Sequence, residues 1–232
     1  MRTYNKVVEK NKRDWEQYAK KWSAYNHSDK VLRPILDCPS KAFHKTTWDL
    51  LQKYIPDLAG KRICVPSSGD NHAVFAFALL GAKVTSCDIS ENQLAYAKEI
   101  ADREGIGDAI EFICADTMKL EGVRDGEYDL VYTSNGVHVW LNDLPSMYTN
   151  ISRVLKHGGL NIIYEIHPYL RPFNEDLKMI KPYDATGPFE DEETVCFHWR
   201  LQDIMNAVMD SGMRLEHLEE MFDGKDYEGR FG

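Results

Sequence analysis

Apolar positions in the middle of the chain switch repeatedly between two spacings. Short apolar runs predict β-strands, and the stretches between them have the three- and four-residue spacing of helices. The predicted strands are Arg62–Val65, Lys83–Cys87, Ile110–Ala115, Tyr128–Thr133 and Leu160–Glu165. The predicted helices are His72–Leu80, one that begins at Ser90, and one that Asp143 caps and His157–Gly159 ends. Because strands that alternate with helices form right-handed βαβ units, residues 61–165 predict an α/β fold with a doubly wound, mostly parallel sheet covered by helices on both faces.

The segment before the predicted sheet is helical and rich in aromatic residues. Its first helix has Trp15, Tyr18, Ala19, Trp22 and Tyr25 on one face. A second helix is predicted from about Ser40 to Tyr54. We therefore divide the chain into an N-terminal helical segment, residues 1–58, and a core, residues 59–232.

The segment after the fifth strand is irregular at first. Prolines interrupt residues 168–198, which form an insertion in the core. Arg200–Asp210 has the spacing of an amphipathic helix, and Met213–Leu218 is predicted to be a final strand. The remaining residues are poor in strand formers, so the sequence leaves three alternatives: the last strand of the sheet is missing, the chain is cut short, or Val195–Trp199 takes its place. An unpaired edge there would favour dimerisation. The oligomeric state is left open between monomer and homodimer.

Composition narrows the class of protein. The chain has 232 residues and a net charge of −9, which is typical of one acidic domain and disfavours a nucleic-acid partner. It contains no apolar run long enough to span a bilayer and no apolar leader, so neither a membrane partner nor secretion is expected. Its 5 cysteines are scattered without a C-x-x-C motif. We therefore expect a cytoplasmic protein with no metal site.

Ligands of a parallel sheet bind beyond the carboxyl ends of its strands. Small residues follow the first strand at 66–71, where a ligand can approach the backbone and the N–H groups of the next helix. Asp88 follows the second strand and can accept hydrogen bonds from the hydroxyls of a ribose, since Ser90 is the better candidate to cap the next helix. Asp116 follows the third strand and can accept from an adenine amino group. The alternatives are an ordinary turn, a helix cap and a surface acid.

Several segments, taken in order, carry a resemblance to a known family. They are Arg62–Asn71, Leu80-Gly81-Ala82-Lys83-Val84, Cys87-Asp88-Ile89-Ser90, Tyr128–Tyr132 and Arg153–Gly159. Over residues 61–218 the chain resembles the class I S-adenosylmethionine-dependent methyltransferases, which implies their Rossmann-like fold. The pattern from Trp15 through Ala19 to Trp22 resembles the first helix of small-molecule methyltransferases, which closes over the cofactor as a lid. The resemblance implies that S-adenosylmethionine is the cofactor and S-adenosylhomocysteine the product.

The resemblance also implies roles for individual residues. The methionine part of the cofactor would contact Ser67, Ser68, Gly69 and Asp70, and the ribose would contact Asp88 and Ile89. Asp116, Thr117 and Met118 would hold the adenine, Ser134 and Asn135 would lie beside the transferred methyl, and Trp22 would belong to the lid. Tyr18 is a further candidate for a lid contact.

The first loop departs from the family pattern. Ser67, Gly69 and Asn71 occupy the positions of three glycines, so that the central glycine alone remains. Serine is small and asparagine tolerates left-handed dihedrals, and we expect the cofactor still to bind. The same departure argues against a nicotinamide-dependent oxidoreductase, which needs G-x-G-x-x-G to admit a pyrophosphate. It also leaves room for a non-catalytic binding or scaffold protein with this fold.

Three residues are candidates for a general base. His138 follows the fourth strand, and Glu165 and His167 end or follow the fifth. Residues two apart on a strand point to the same face, so Glu165 and His167 are predicted to converge. Each histidine can instead be structural. The sequence predicts a methyltransferase acting on a small-molecule acceptor, without identifying the acceptor or the atom methylated.

Overall fold

The computed structural model describes residues 2–69, 71–134, 136–174, 176–190, 192 and 194–221. Three helices come first: α1 (Arg2–Asn26), α2 (Asp29–Asp37) and α3 (Lys45–Tyr54). The central elements are β1 (Arg62–Pro66), α4 (His72–Leu79), β2 (Lys83–Asp88), α5 (Glu91–Arg103), β3 (Ile110–Cys114), β4 (Tyr128–Ser134), α6 (Leu144–Val154) and β5 (Leu155–Tyr164). A two-stranded hairpin, β6 (Phe189–Glu190) and β7 (Val195–Cys196), and helix α7 (Leu201–Asp210) follow.

The five long strands form one parallel sheet in the order β3-β2-β1-β4-β5. One apolar layer packs α2, α3, α4 and α5 against the sheet, and a second layer packs α6 and α7 against its other face. The predicted doubly wound α/β fold is confirmed. The carboxyl ends of all five strands therefore meet at one edge, where the loops that follow β1, β2, β3 and β4 lie side by side.

Caps determine where several helices begin. Ser90 accepts from the Gln93 N–H and Asp143 accepts from the Ser146 N–H, as the sequence predicted. The helix predicted from Ser40 begins later, at Lys45, because Pro39–Ala42 forms a separate 3₁₀ turn and His44 caps α3.

The start of β5 also differs from the prediction. Helix α6 ends at Val154 rather than at the glycines that follow, and Leu155 already pairs with Tyr128. The register then shifts, so that Leu160 pairs with Leu130. A side chain at Gly159 would lie 2.9 Å from the Tyr128 carbonyl oxygen, and glycine therefore permits this close passage.

The predicted strand Met213–Leu218 is wrong. Residues 213–221 have no regular secondary structure, and Leu215 and Leu218 are exposed. A segment with an alternating pattern forms a strand only when it pairs with the edge of a sheet. Within the described residues nothing pairs with the free edge of β5, so residues 213–218 do not form that strand. The alternative in which Val195–Trp199 supplies the last strand of the sheet is also wrong, because Val195–Cys196 pairs antiparallel with Phe189–Glu190 in a separate sheet.

Helices α2 and α3 belong to the same apolar layer as the sheet. Leu32, Phe43 and Leu51 are buried against Phe75 and Phe77 of α4. The division of the chain at residue 58 stays a prediction, but its consequence for stability can be measured.

Replacing the buried Leu51 by alanine should lower the free energy of unfolding by about 2–5 kcal/mol, because the side chain is fully buried in the common core. Denaturant unfolding should still show one transition. The exposed neighbour provides the control, since Gln52→Ala should change the free energy by less than about 0.5 kcal/mol. A separate early transition in Leu51→Ala would show that α3 is not part of this core.

Candidate active site

One cavity opens at the carboxyl edge of the sheet, beneath α1. The cavity is open to solvent, and its empty space together with the solvent at its mouth is about 880 Å³. Polar lining residues come from the strand ends and the loops that follow them: Ser67, Ser68, Gly69, Asn71, Asp88, Gln93, Asp116, Thr117 and Ser134. Apolar lining residues include Val8, Trp15, Trp22, Ile89, Met118, Val137, Trp140 and Leu141.

The loop after β1 is shaped by two left-handed residues, Ser67 and Gly69, each with a φ of 47°. The Ser67 hydroxyl lies 2.6 Å from that of Thr117, so the replaced glycine is compatible with the turn. A side chain at Gly69 would displace the end of the Gln93 side chain and would be placed on a left-handed residue, a conformation that glycine adopts without strain. Asn71 caps α4 and donates to the Ser134 hydroxyl at 2.7 Å, which links the first loop to the end of β4.

Asp88 joins the first two loops. One carboxylate oxygen accepts from the Gly69 N–H at 2.7 Å, and the other accepts from the Ser90 N–H at 2.8 Å. These bonds fix the plane of a carboxylate that is 7% exposed and lines the cavity. Two fixed oxygens at the end of the second strand match the vicinal hydroxyls of a ribose.

The third loop lies beside the second. Asp116 accepts from the Met118 N–H at 2.9 Å, and Met118 is almost completely buried. Asp116, Thr117 and Met118 together form the part of the lining next to Ile89. A carboxylate beside two apolar side chains suits a flat heterocycle that carries an amino group.

Helix α1 covers the cavity with Trp15 and Trp22. The rings of Trp15 and Trp140 meet edge to face at 5.2 Å. Glu16 accepts from the Glu91 and Asn92 N–H groups at 2.7 and 3.2 Å and so anchors α1 to the first turn of α5. Tyr18, the other candidate for a lid contact, is outside the cavity lining within the described residues.

Two predicted site residues, Asp70 and Asn135, lie outside the described residues. The other predicted cofactor residues all line the same cavity, although their individual contacts with a cofactor stay predictions. The described part of the chain contains no group of three or more side chains suited to hold a metal ion.

His138 faces away from the cavity. Its Nε2 lies 2.9 Å from the Tyr148 hydroxyl inside the layer beneath the loop, and the side chain is outside the cavity lining within the described residues. Burial lowers the pKa of His138, although nearby Glu165 raises it, and Arg171 lowers it further. The geometry therefore favours the structural alternative for this histidine over the role of base.

Glu165 holds the loop that follows β4. Its carboxylate accepts from the N–H groups of Gly136, Val137 and His138 at 2.8 to 3.2 Å and from its own neighbour Ile166 at 3.0 Å. This carboxylate supports the loop that walls the cavity and is outside the cavity lining within the described residues. It acts on the site by positioning that loop.

The predicted convergence of Glu165 and His167 does not occur. Strand β5 ends at Tyr164, so the two-residue period of a strand no longer applies. His167 instead caps the turn Pro168–Leu170 by accepting from the Tyr169 N–H, and its Nε2 contacts Glu220 at 2.8 Å.

The sheet order, the strand-end acids and the cavity beneath α1 define the class I S-adenosylmethionine-dependent methyltransferase fold. Residues 66–163 match the family model described as a methyltransferase domain. The resemblance seen in the sequence is thereby confirmed, and S-adenosylmethionine is the cofactor of this class. The residues around the cavity fit such a group, because fixed carboxylates, a left-handed small-residue loop and apolar side chains surround one space.

The chain is also similar to individual curated proteins and solved structures. It is 38% identical over 141 residues to the sterol 24-C-methyltransferase ERG6B of Gibberella zeae, a match covering 61% of this chain and 36% of the relative. The chain thus spans about a third of the length of that curated relative. An S-adenosylmethionine-dependent methyltransferase from Mesorhizobium loti shares the fold with a TM-score of 0.63 and 24% identity, over 80% of this chain and 86% of that one.

The [4+2]-cyclase SpnF also shares the fold. Its TM-score is 0.56 at 18% identity, over 72% of this chain and 57% of that one. Structures at this level of identity show the architecture alone, so the activity has to be argued from the site.

Stability should depend on pH through His138. The pKa of His138 in the folded chain lies below its ordinary value of 6.5. When the pH falls below 6.5, the unfolded chain therefore takes up a proton on this histidine before the folded chain does. The free energy of unfolding should therefore fall on acidification from about pH 6.5. His138→Gln should reduce this slope in denaturant titrations at several pH values.

Part of the slope should survive in His138→Gln. Burial, Lys181 and Arg171 lower the pKa of His198 to about 4, which acts in the same direction. An unchanged slope in the variant would contradict the assignment to His138.

Replacing Glu165 by glutamine should lower the free energy of unfolding by about 1–3 kcal/mol, since one of the two accepting oxygens becomes an NH2 group, which cannot accept from the loop N–H groups on its side. Denaturant unfolding measures this loss. The exposed Glu99 on α5 gives the matched control, and Glu99→Gln should be nearly neutral. Full stability of Glu165→Gln would argue against its role in holding the loop.

Proposed function

We propose that this protein is an S-adenosylmethionine-dependent methyltransferase that acts on a small-molecule acceptor. The observation that carries the proposal is Asp88, a carboxylate held by N–H groups of two loops at the point where the sheet order changes direction. The methyltransferase-domain match around it supports the same activity. The similarity to a sterol methyltransferase supports a small-molecule acceptor.

The proposed roles follow the lining of the cavity. When bound, the cofactor supplies an electrophilic methyl group attached to positively charged sulfur. Asp88 orients the ribose, Asp116 and Met118 hold the adenine, and the left-handed loop at 67–69 lets the methionine part approach the backbone. Trp15 and Trp22 keep water from the site. The main contribution of the chain is alignment of acceptor and methyl group, which lowers the entropic barrier to displacement.

Two alternatives remain distinguishable by binding. A non-catalytic protein with this fold would neither turn over an acceptor nor need the cofactor, and the altered loop is the observation that favours it. A nicotinamide-dependent oxidoreductase would bind NADH more tightly than S-adenosylmethionine. The single glycine at position 69 disfavours that alternative, because a pyrophosphate needs more open backbone.

The cellular setting is also a proposal. We infer a cytoplasmic location, supported by the 5 cysteines, all of which lie in the described part of the chain as free thiols. No described helix is long and apolar enough to cross a membrane. The absence of a nucleic-acid or membrane partner and the choice between monomer and homodimer stay predictions from the sequence.

Calorimetric titration with S-adenosylmethionine and S-adenosylhomocysteine tests the proposal. The wild type should bind both, and Asp88→Asn should weaken binding by about tenfold or more, because the amide keeps one accepting oxygen and can no longer accept from both the Gly69 and the Ser90 N–H group. The expected loss corresponds to about 1.4 kcal/mol or more.

The control is Asp102→Asn on the exposed side of α5, where the carboxylate pairs with Lys98. Its affinity for the cofactor should equal that of the wild type. Absence of wild-type binding at millimolar cofactor would overturn the proposal and favour the scaffold alternative, while tighter binding of NADH would favour the oxidoreductase.

A further inference from the structure

The lining of the cavity is divided by chemistry. Its described ionisable residues, Asp88 and Asp116, follow β2 and β3, on one side of β1. On the side of β4 the described lining carries no charge: its polar members are the Ser134 hydroxyl and the Asn11 amide, and its apolar members are Val8, Trp15, Val137, Trp140 and Leu141. We name these five apolar residues the apolar compartment. It contains no ionisable side chain. The nearby His138 and Glu165 lie outside the described lining, where His138 Nε2 contacts the Tyr148 hydroxyl and Glu165 accepts from loop N–H groups.

The walls of the apolar compartment come from segments distant in sequence. Val8 and Trp15 belong to α1, and Trp140 and Leu141 follow β4. The Trp199 indole N–H donates to the Leu141 carbonyl at 2.8 Å, and the Phe197 N–H donates to the Val139 carbonyl at 2.8 Å. The segment after β7 thus supports the outer side of this wall.

A single buried amide connects the three segments. Asn11, which is 5% exposed, donates to the carbonyls of Trp140 at 3.2 Å and Val195 at 2.9 Å, and it accepts from the Val195 N–H at 3.0 Å. Asn11 lies one helical turn before Trp15. These bonds fix the distance between α1, the loop after β4 and strand β7, and so set the width of the compartment.

We propose that the apolar compartment is the acceptor site, that it takes an uncharged, largely apolar acceptor, and that Asn11 is its positioning residue. The inference deepens the proposed function and rests on it. A buried ion without a countercharge is strongly disfavoured, and the five side chains carry no charge. Aromatic edges and aliphatic groups instead favour a flat or branched apolar molecule.

The reaction balances with an uncharged acceptor. Its electron pair forms the bond to the methyl carbon while the carbon–sulfur bond breaks and leaves its electrons on sulfur. The positive charge passes to the acceptor, and a proton goes to water where the acceptor carries one at the reacting atom.

The first test uses three probes with one ring system, titrated into the wild type loaded with S-adenosylhomocysteine. They are 2-naphthalenemethanol, 2-(aminomethyl)naphthalene and 2-naphthoate, which are neutral, cationic and anionic at about pH 7.5. The neutral probe should bind at least about tenfold more tightly than either ion. Equal or tighter binding of an ion would overturn the inference.

The second test changes the charge of the compartment. Val8→Asp should weaken binding of the neutral probe by about tenfold and shift the preference toward the amine. Val7→Asp is the matched control, since its side chain lies outside the cavity lining within the described residues. The control should keep the wild-type order of affinities, and the same shift in both variants would contradict the assignment.

The third test separates positioning from general stability. Asn11→Ala should weaken the neutral probe by about tenfold while the affinity for S-adenosylhomocysteine changes by less than about threefold. Asn92→Ala, which removes a 3.4 Å bond between α5 and the backbone of α1, should leave probe binding unchanged. Equal losses of probe and S-adenosylhomocysteine in Asn11→Ala would assign Asn11 a structural role only.

These measurements distinguish two failures. If the wild type does not bind S-adenosylhomocysteine, the proposed function is wrong, and the assignment of the acceptor site is wrong as well. If S-adenosylhomocysteine binds but the neutral probe has no advantage, the methyltransferase proposal stands and the apolar-acceptor inference is wrong.

Discussion

Backbone N–H groups beyond the ends of parallel strands need hydrogen-bond acceptors, and in this protein carboxylates supply many of them. Asp88 accepts from the loops after β1 and β2, Asp116 accepts within the loop after β3, and Glu165 accepts from the loop after β4. Glu16 does the same at the first turn of α5. Since an unpaired buried N–H is costly, these acids determine the shape of the cavity before any ligand contacts it.

This constraint explains why the site residues were predicted with uneven success. The rule that ligands bind beyond strand ends located Asp88, Asp116 and Ser134 on one cavity, because their positions depend on short-range patterns that survive folding. The same rule selected Glu165 and His167. It does not indicate which carboxylates accept hydrogen bonds from loop N–H groups and so lie outside the cavity lining. These hydrogen bonds join residues that are distant in sequence, such as Val137 and Glu165, which are 28 positions apart.

The fold was predictable to a similar degree. The apolar runs of β1 to β4 are short and flanked by clear turns, so their positions follow from the sequence. The beginning of β5 depends on a register shift against Tyr128, and the failed strand at 213–218 depends on a partner edge. Both are properties of pairing between distant segments, which a periodic pattern does not contain.

Asn11 and Glu16 were missed for a related reason. The sequence placed Trp15 and Trp22 on one helical face, and Asn11 is four residues before Trp15, so its membership of that face was visible. Its role was not, because an asparagine near the start of a helix is ordinarily a solvated residue. Only the approach of Val195 from a segment 184 residues away converts it into a buried, three-bonded amide.

The altered loop after β1 shows how a family pattern can change without loss of shape. Glycine adopts the left-handed conformation at position 69 without displacing the end of Gln93, and position 67 has its left-handed conformation supported by the Thr117 hydroxyl. A non-glycine residue in that conformation costs on the order of 1 kcal/mol, and one hydrogen bond offsets a comparable amount. The count of glycines therefore says less about cofactor binding than the partners of the residues that replace them.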